Sequence, residues 1–205
     1  MAGWEKFNKL AYLMVKLAYI NLLWILFTCL GLIVFGLFPA TAAMFAVVHK
    51  MIKGEEDLKI FRSFWMLFRT EFFKLNGHGL IFYAVAYFLY FDFTFLKLNS
   101  GRFEFLYPAL IFILISSAIT LLFFFPVYVH FKLRFFQYFK QAFLIALTSP
   151  AEIFLIILSA VAIYIAATIL PGIIPLFTGS VFAYLSIWIS FRALDKIKKR
   201  KGISS

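Results

Sequence analysis

The sequence LAYINLLWILFTCLGLIVFGLFPATAAMFAVVH, residues 17–49, contains no Lys, Arg, Asp or Glu. A helix needs about 20 apolar residues to cross the hydrocarbon core of a bilayer, so this stretch is too long for one crossing and short for two. Gly36 and Pro39 lie near its centre, and both residue types interrupt helices. We therefore predict a membrane hairpin with a first helix at about 7–38 and a second, shorter helix at about 39–53.

The second helix of this hairpin reaches only about 22 Å at about 1.5 Å per residue. It therefore either crosses a locally thin region or enters the membrane and returns. Gly31 and Gly36 lie five apart, so they do not form a GxxxG face; we expect them to let the chain turn and pack closely before Pro39 begins the second helix. Thr41 is expected to cap backbone groups at the turn. A packed hairpin is the first interpretation, and a broken helix that lines a transporter site is the second.

The rest of the chain contains further uncharged segments of spanning length, at about 75–96, 105–129, 150–170 and 173–195. Pro171 and Gly172 supply a tight turn between the last two. The predicted fold is thus all-α, a polytopic membrane protein with one transmembrane domain over residues 1–205 and six membrane helices. Five crossings, with the second helix only dipping into the membrane, is the alternative.

The composition supports lipid as the solvent of this chain. Of its 205 residues 64% are hydrophobic, 21% aromatic and only 14% charged, with a mean hydropathy of +0.97. Soluble domains are about 45–50% apolar and about 25% charged. The net charge of +11 does not indicate nucleic-acid binding, because the cations lie in short clusters between uncharged runs, as in juxtamembrane loops.

The positions of these cations predict the orientation. With six helices, 18 of the 20 Lys and Arg fall on one side of the membrane, and the other side keeps Lys97 and Arg102. If residues 17–49 formed one simple helix instead of a hairpin, the bias would be weaker, about 15 against 5. A re-entrant second helix gives the same sidedness as six crossings. Because cytoplasmic loops carry the excess of cations, we predict a multi-pass protein of the cell membrane with both termini in the cytoplasm. The basic run Lys196–Lys201 serves as an anchor there.

The segment at about 58–74 alternates aromatic and cationic residues at helical spacing. This pattern predicts an amphipathic helix along the cytoplasmic interface, with Trp65 at the depth of the lipid headgroups. Docking of a cytoplasmic partner is the alternative, by analogy with the coupling helix of importer permeases, although the segment lacks their EAA-type loop sequence.

Polar residues inside the apolar segments are the remaining candidates. Asn21 and Asn76 are expected to hydrogen-bond across helices and so to stabilise packing by about 0.6–2 kcal/mol. Ser149 and Glu152 fit a capping box that starts a helix at Pro150. The three histidines lack the spacing of metal ligands, and no catalytic, dinucleotide or Walker motif is present, so we predict no enzyme activity, no metal and no cofactor.

The first 76 residues contain a pattern of a known protein family. The pattern consists of Gly31 to Ala43, then Gly54-Glu55-Glu56, and then Phe61, Phe64, Trp65, Phe68, Phe72 and Asn76. It resembles the YesL-like family of uncharacterised bacterial membrane proteins. The resemblance extends over the chain in length and helix order, and Asn21 also matches. It implies a small polytopic protein without established activity, whose genes often lie near those of carbohydrate uptake or polysaccharide degradation.

Two functions follow as expectations. The first is a non-enzymatic accessory protein, with the lipid bilayer and a sugar importer of the ATP-binding-cassette class as partners. The second is a small transporter or channel that acts on its own through the broken hairpin. The low number of polar residues at mid-membrane depth favours the first. The sequence specifies no substrate and no oligomeric state.

Overall fold

The structure, a computed structural model, describes residues 2–55, 58–99 and 103–200; for residues 2, 3 and 195–200 it describes the backbone only. Over these ranges the chain is helical and contains no strand. The helices are α1 (Ala2–Leu30), α2 (Val34–Ile52), α3 (Ile60–Thr70), α4 (Phe72–Leu98), α5 (Tyr107–His130), α6 (Phe135–Thr148), α7 (Pro150–Ile169) and α8 (Ile174–Arg200). Single 3-10 turns precede α5 and α8, at Glu104–Leu106 and Pro171–Ile173.

Six of these helices, namely α1, α2, α4, α5, α7 and α8, are long and apolar enough to cross a membrane. In a bilayer each backbone N–H and C=O needs a partner within the protein, which a helix supplies from its own chain. The uncharged runs of the sequence therefore become helices, and the predicted all-α polytopic fold is confirmed. The predicted segments 75–96, 105–129 and 150–170 lie within three residues of α4, α5 and α7.

The boundary between α1 and α2 differs from the prediction. The first helix ends at Leu30 and not near residue 38, and the second begins at Val34 and not at Pro39. Leu32 and Ile33 have positive φ angles of 58° and 63°. The Val34 N–H donates to the Leu32 carbonyl at 2.7 Å around Ile33, whose ψ is −67°. This is a γ-turn of the rare, strained kind, and it reverses the chain without proline.

Pro39 consequently lies inside α2, as its sixth residue. Its ring removes one backbone donor early in the helix, where the Leu37 N–H still bonds the Ile33 carbonyl at 2.9 Å. The expectation that Pro39 starts the second helix is therefore wrong. A positive φ at a β-branched residue such as Ile33 is uncommon, which is why the sequence pattern pointed to the wrong residue.

The turn between α1 and α2 does not reach as far as the end of α4. The Tyr83 hydroxyl donates to the Val34 carbonyl at 3.1 Å, so that α2 begins beside the middle of α4. The Phe38 ring lies against the backbone of Gly79 one turn earlier. From Tyr83 to Leu98, α4 continues for about 22 Å at about 1.5 Å per residue. The α1–α2 turn thus lies within the depth that α4 covers.

Helix α3 occupies the place of the predicted interfacial helix at 58–74. It buries Phe64 and Phe68 against Phe27 of α1, with ring centroids 5.1 and 5.0 Å apart. The helix ends at Glu71, where α4 starts without a loop. Helix α6 is the second short helix, and at its start the Arg134 N–H donates to the side-chain oxygen of Gln137 at 3.0 Å.

The buried side chains form two apolar clusters. The first joins α1, α2, α3 and α8, and the second joins α4, α5, α6 and α7 with residues of α2 and α8. Helices α2 and α8 therefore connect the two halves of the molecule. Because lipid tails are as apolar as these side chains, close packing and inter-helix hydrogen bonds hold such helices together.

Candidate functional site

Two candidate residues of the hairpin, Asn21 and Thr41, lie with Trp24 near the start of α8. We call Asn21, Trp24, Thr41 and the first turns of α8 the polar seam. Asn21 is fully buried. Its Nδ2 donates to the Pro175 carbonyl at 2.7 Å, and its Oδ1 accepts from the Ser180 N–H at 3.0 Å. Both ends of the amide therefore bond the backbone of α8, which fixes α1 against the last membrane helix.

The second part of the polar seam links α1 to α2. The Trp24 Nε1–H donates to Thr41 Oγ1 at 3.0 Å, and the Thr41 hydroxyl donates to the Leu37 carbonyl at 2.6 Å. Thr41 thus lies within α2 and does not cap the hairpin turn as expected, because the helix begins seven residues before it. Its hydroxyl orients the indole of Trp24 instead.

Gly36 lies where the two helices of the hairpin touch. A Cβ atom on Gly36 would lie 2.3 Å from the Thr28 carbonyl oxygen and 2.9 Å from that of Phe27. A Cβ atom on Gly31 would in turn lie 2.3 Å from the Gly36 Cα. The two glycines therefore make a backbone contact that excludes any side chain.

A cavity of about 680 Å³ adjoins the polar seam. It lies between α1, α2, α5, α7 and α8, and its walls include Trp24, Thr41, Phe45, Leu121, Ala160 and Phe182. No Asp, Glu, Lys, Arg or His lines it. The Trp24 and Thr41 polar groups are already bonded to the protein, as described above. The cavity can therefore hold apolar matter and offers little to a sugar or an ion.

A different cluster lies at the junction of α3, α4 and α5. The Tyr128 hydroxyl donates to Glu71 Oε2 at 2.6 Å, and Lys74 Nζ lies 3.5 Å from the same oxygen. The Lys74 ammonium also lies over the rings of Tyr128 and Tyr138, at 5.2 and 5.1 Å from their centroids. A short bond to a carboxylate is stronger than a neutral one, so this cluster ties the α3–α4 junction to α5.

His78 extends this cluster towards α6. Its ring is fully buried and stacks on Phe135, with centroids 3.9 Å apart. Nδ1 lies 2.8 Å from the Lys74 carbonyl and Nε2 lies 3.1 Å from the Phe135 carbonyl. His78 therefore joins α4 to the first turn of α6 and acts as a packing residue.

Two further candidates make local contacts. Trp65 is 43% exposed on α3 and lies 5.6 Å from the Phe27 ring. Asn76 donates to the Phe72 carbonyl of its own helix at 2.9 Å. The structure thus gives Asn76 a bond within α4 rather than the expected bond across helices.

The remaining predicted sites have different outcomes. Helix α7 starts at Pro150 after Ser149, as predicted, but Ser149 makes no side-chain cap bond, and Glu152 is buried. His49 and His130 lie near each other, with ring centroids 5.9 Å apart. His78 lies apart from them, beside the cluster of Lys74 and Tyr128 described above. Among the described residues no group of three or more His, Cys, Asp or Glu side chains could hold a metal ion. Arg102, Glu56 and the side chains of the run Lys196–Lys201 lie outside the described part.

Comparison with known proteins shows the family of this chain. The family described as "Protein of unknown function, DUF624" matches residues 17–93. From Bacillus subtilis (strain 168), the uncharacterized protein YteU is 31% identical over 188 residues, which are 92% of this chain and 85% of YteU. The uncharacterized protein YesL is 32% identical over 191 residues, 91% of this chain and 88% of YesL. This chain belongs to the YesL-like family of unknown function. The uncharacterized protein YesV of the same organism is 32% identical over 188 residues, 89% of this chain and 88% of YesV. No solved structure matches the chain.

Within this YesL-like chain, sequence reasoning missed the cluster of Glu71, Lys74, Tyr128 and Tyr138. Its members come from three helices, and Glu71 and Tyr128 are 57 residues apart. The sequence offered one signal for this cluster, the single acid Glu71 between the cations Arg69 and Lys74. The apolar cavity was also missed. Its walls come from five helices, and most of its lining residues are apolar ones that are common in any transmembrane helix.

Proposed function

We propose that this YesL-like chain is a non-enzymatic accessory protein of the cell membrane that assists a carbohydrate importer of the ATP-binding-cassette class. The importer, not this chain, would provide the path for the sugar. The gene neighbourhood that the family resemblance implies supports the carbohydrate link, and the apolar walls of the cavity beside the polar seam support the accessory role.

The observation that carries this proposal is the chemistry of the cavity beside the polar seam. Sugar sites and transport paths need converging polar groups near the middle of the membrane. The cavity has walls of apolar side chains, and the polar groups of Trp24 and Thr41 within it are used by the protein itself. This favours an accessory role over a transporter that acts alone.

The exposed face of α3 is the proposed docking element. Phe64 and Phe68 are buried, so the helix directs Arg62, Met66 and Arg69 outward. Cations beside exposed apolar groups suit an interface with the cytoplasmic side of a partner protein.

Purification from native membranes tests the proposal. Tagged protein should retain the importer's membrane subunits at about equal abundance after mild detergent extraction, measured by quantitative mass spectrometry. The double variant Arg62→Glu, Arg69→Glu should reduce this recovery by about tenfold, because it reverses the charge of the docking face.

The matched control reverses two exposed cations elsewhere, Lys6→Glu and Lys9→Glu on α1, and should leave the recovery unchanged. Recovery of no importer subunit, or equal recovery with both double variants, would contradict the proposal. Solute uptake by the purified chain alone in liposomes would support the independent transporter instead.

A further inference from the structure

We infer that the cavity between α1, α2, α5, α7 and α8 is a binding site for the acyl chain of a membrane lipid. The cavity lies at hydrocarbon depth, because its walls include the uncharged parts of α2, α5 and α7. On α2 these wall residues run from Leu37 to Phe45, and on α7 from Ala160 to Ala167. Neither section contains Asp, Glu, Lys, Arg or His.

The volume identifies the kind of occupant. An apolar cavity of about 150 Å³ binds benzene, which has six carbon atoms, so a cavity of about 680 Å³ has room for roughly 27 carbon atoms. One long acyl chain therefore fits with space to spare. A membrane helix about 30 Å long and about 10 Å wide has a volume of roughly 2,400 Å³ and does not fit.

The pairing of the Trp24, Thr41 and Thr178 polar groups disfavours water or a polar molecule as the occupant. Water in a buried site needs two to four polar partners, and apolar cavities stay dry. The Trp24 Nε1–H is bonded to Thr41, and the Thr178 hydroxyl donates to the Ile174 carbonyl at 2.8 Å. Since these groups are already paired, they need no ligand, and a hydrocarbon chain leaves none of them unsatisfied.

The cavity has a mouth towards the bilayer. Tyr164 is 70% exposed and Ile174 is 50% exposed, and both line the cavity where α7 turns into α8. The opposite wall, at Met44 and Phe45, is only 2% exposed. An acyl chain can therefore enter sideways between the ends of α7 and α8 while its headgroup stays outside the protein.

Fluorescence quenching of Trp24 tests this inference, since this residue lines the cavity. The other tryptophans are removed by Trp4→Phe, Trp65→Phe and Trp188→Phe. The full chain in detergent micelles is then titrated with phosphatidylcholine that carries bromine on an acyl chain. We expect saturable quenching at roughly one lipid per protein, reversed by excess unbrominated lipid.

Two substitutions on α7 give the matched comparison. Ala160→Phe places a ring in the cavity and should weaken the saturable quenching by about tenfold, whereas Ala162→Phe on the exposed side of the same helix should not change it. If Ala160→Phe does not elute as a folded species, Ala167→Leu fills the same cavity with a smaller side chain. Quenching that never saturates, or that is equal in the cavity variant and Ala162→Phe, would overturn the inference, since Trp24 would then sense only surrounding lipid.

Discussion

Gly36 shows how little room the hairpin leaves for a side chain. A methyl group there would overlap the carbonyl oxygens of Thr28 and Phe27, which belong to backbone and cannot rotate away. We expect Gly36→Ala to lower the free energy of unfolding by about 1–3 kcal/mol. Thermal unfolding in micelles measures this. Gly172→Ala is the control, because nothing lies within 4 Å of a Cβ atom on Gly172; equal effects of both changes would refute the close contact.

Asn21 offers a second test within the polar seam. Replacing it by Leu removes two hydrogen bonds to α8, to the Pro175 carbonyl and the Ser180 N–H. We expect Asn21→Leu to reduce stability by about 0.6–1.7 kcal/mol, the range for such bonds in membranes. Denaturant titration in mixed micelles measures the change. The control is Asn8→Leu on the exposed part of α1, and a loss as large in the control would argue against the seam.

The sequence indicates the role of Asn21 but not its partners. A buried amide in an apolar helix needs hydrogen bonds, so an inter-helix bond could be predicted from its residue type. The partner Pro175 is 154 residues away, and nothing local indicates it. Asn76, of the same type, bonds the Phe72 carbonyl of its own helix instead, so the residue type alone does not predict which partner an amide takes.

The α3–α4 junction depends on one short bond between elements. Glu71 ends α3 and accepts from Tyr128 of α5 at 2.6 Å. We expect Tyr128→Phe and Glu71→Gln each to lower the free energy of unfolding. The double variant should lose less than the sum of the two single losses, and the difference, the coupling energy, should be about 1 kcal/mol. A double-mutant cycle of unfolding free energies measures this coupling.

The control for this cycle pairs Glu71→Gln with Tyr87→Phe on the exposed face of α4. That pair should show additive effects, because distant sites do not couple. Additivity in the Tyr128 cycle would show that the bond does not hold the junction.

Helix positions were predictable where charged residues mark both ends of a single apolar run. The segments that became α4 and α5 are of this kind, and the end of α7 was predictable from Pro171 and Gly172. The α1–α2 boundary was not predictable, because glycine and proline are general helix breakers while the chain actually turns at Leu32 and Ile33. Two consecutive branched apolar residues with positive φ carry no local signal for a turn.

The distribution of cations over six crossings predicts which loops face the cytoplasm. In a Cys29→Ser background, a single cysteine introduced by Asn99→Cys, after α4, should react with a membrane-impermeant maleimide in intact cells. One introduced by Gly54→Cys, after α2, should react only after permeabilisation, since cytoplasmic loops of membrane proteins carry the excess of cations. Fluorescent labelling on a gel measures both. The reverse pattern would refute the predicted orientation.

The joining of the two apolar clusters through α2 and α8 could not be derived from sequence. Helix order and length constrain which segments cross, but helix partners follow from the shapes of side chains that are far apart in the chain. The cavity is a product of this arrangement, since its walls at Trp24, Leu121 and Ala160 meet only after five helices are in place.

The uneven reach of the helices has a consequence for the surrounding lipid. Helix α4 continues about 22 Å past the point where α2 begins, so the α1–α2 turn lies short of the end of α4. Lipid beside this turn is expected to thin or tilt, at a cost of fractions of a kcal/mol per Å of mismatch. Short or kinked tails meet this demand with less strain than long straight ones. We therefore expect such lipids to be favoured beside the α1–α2 turn.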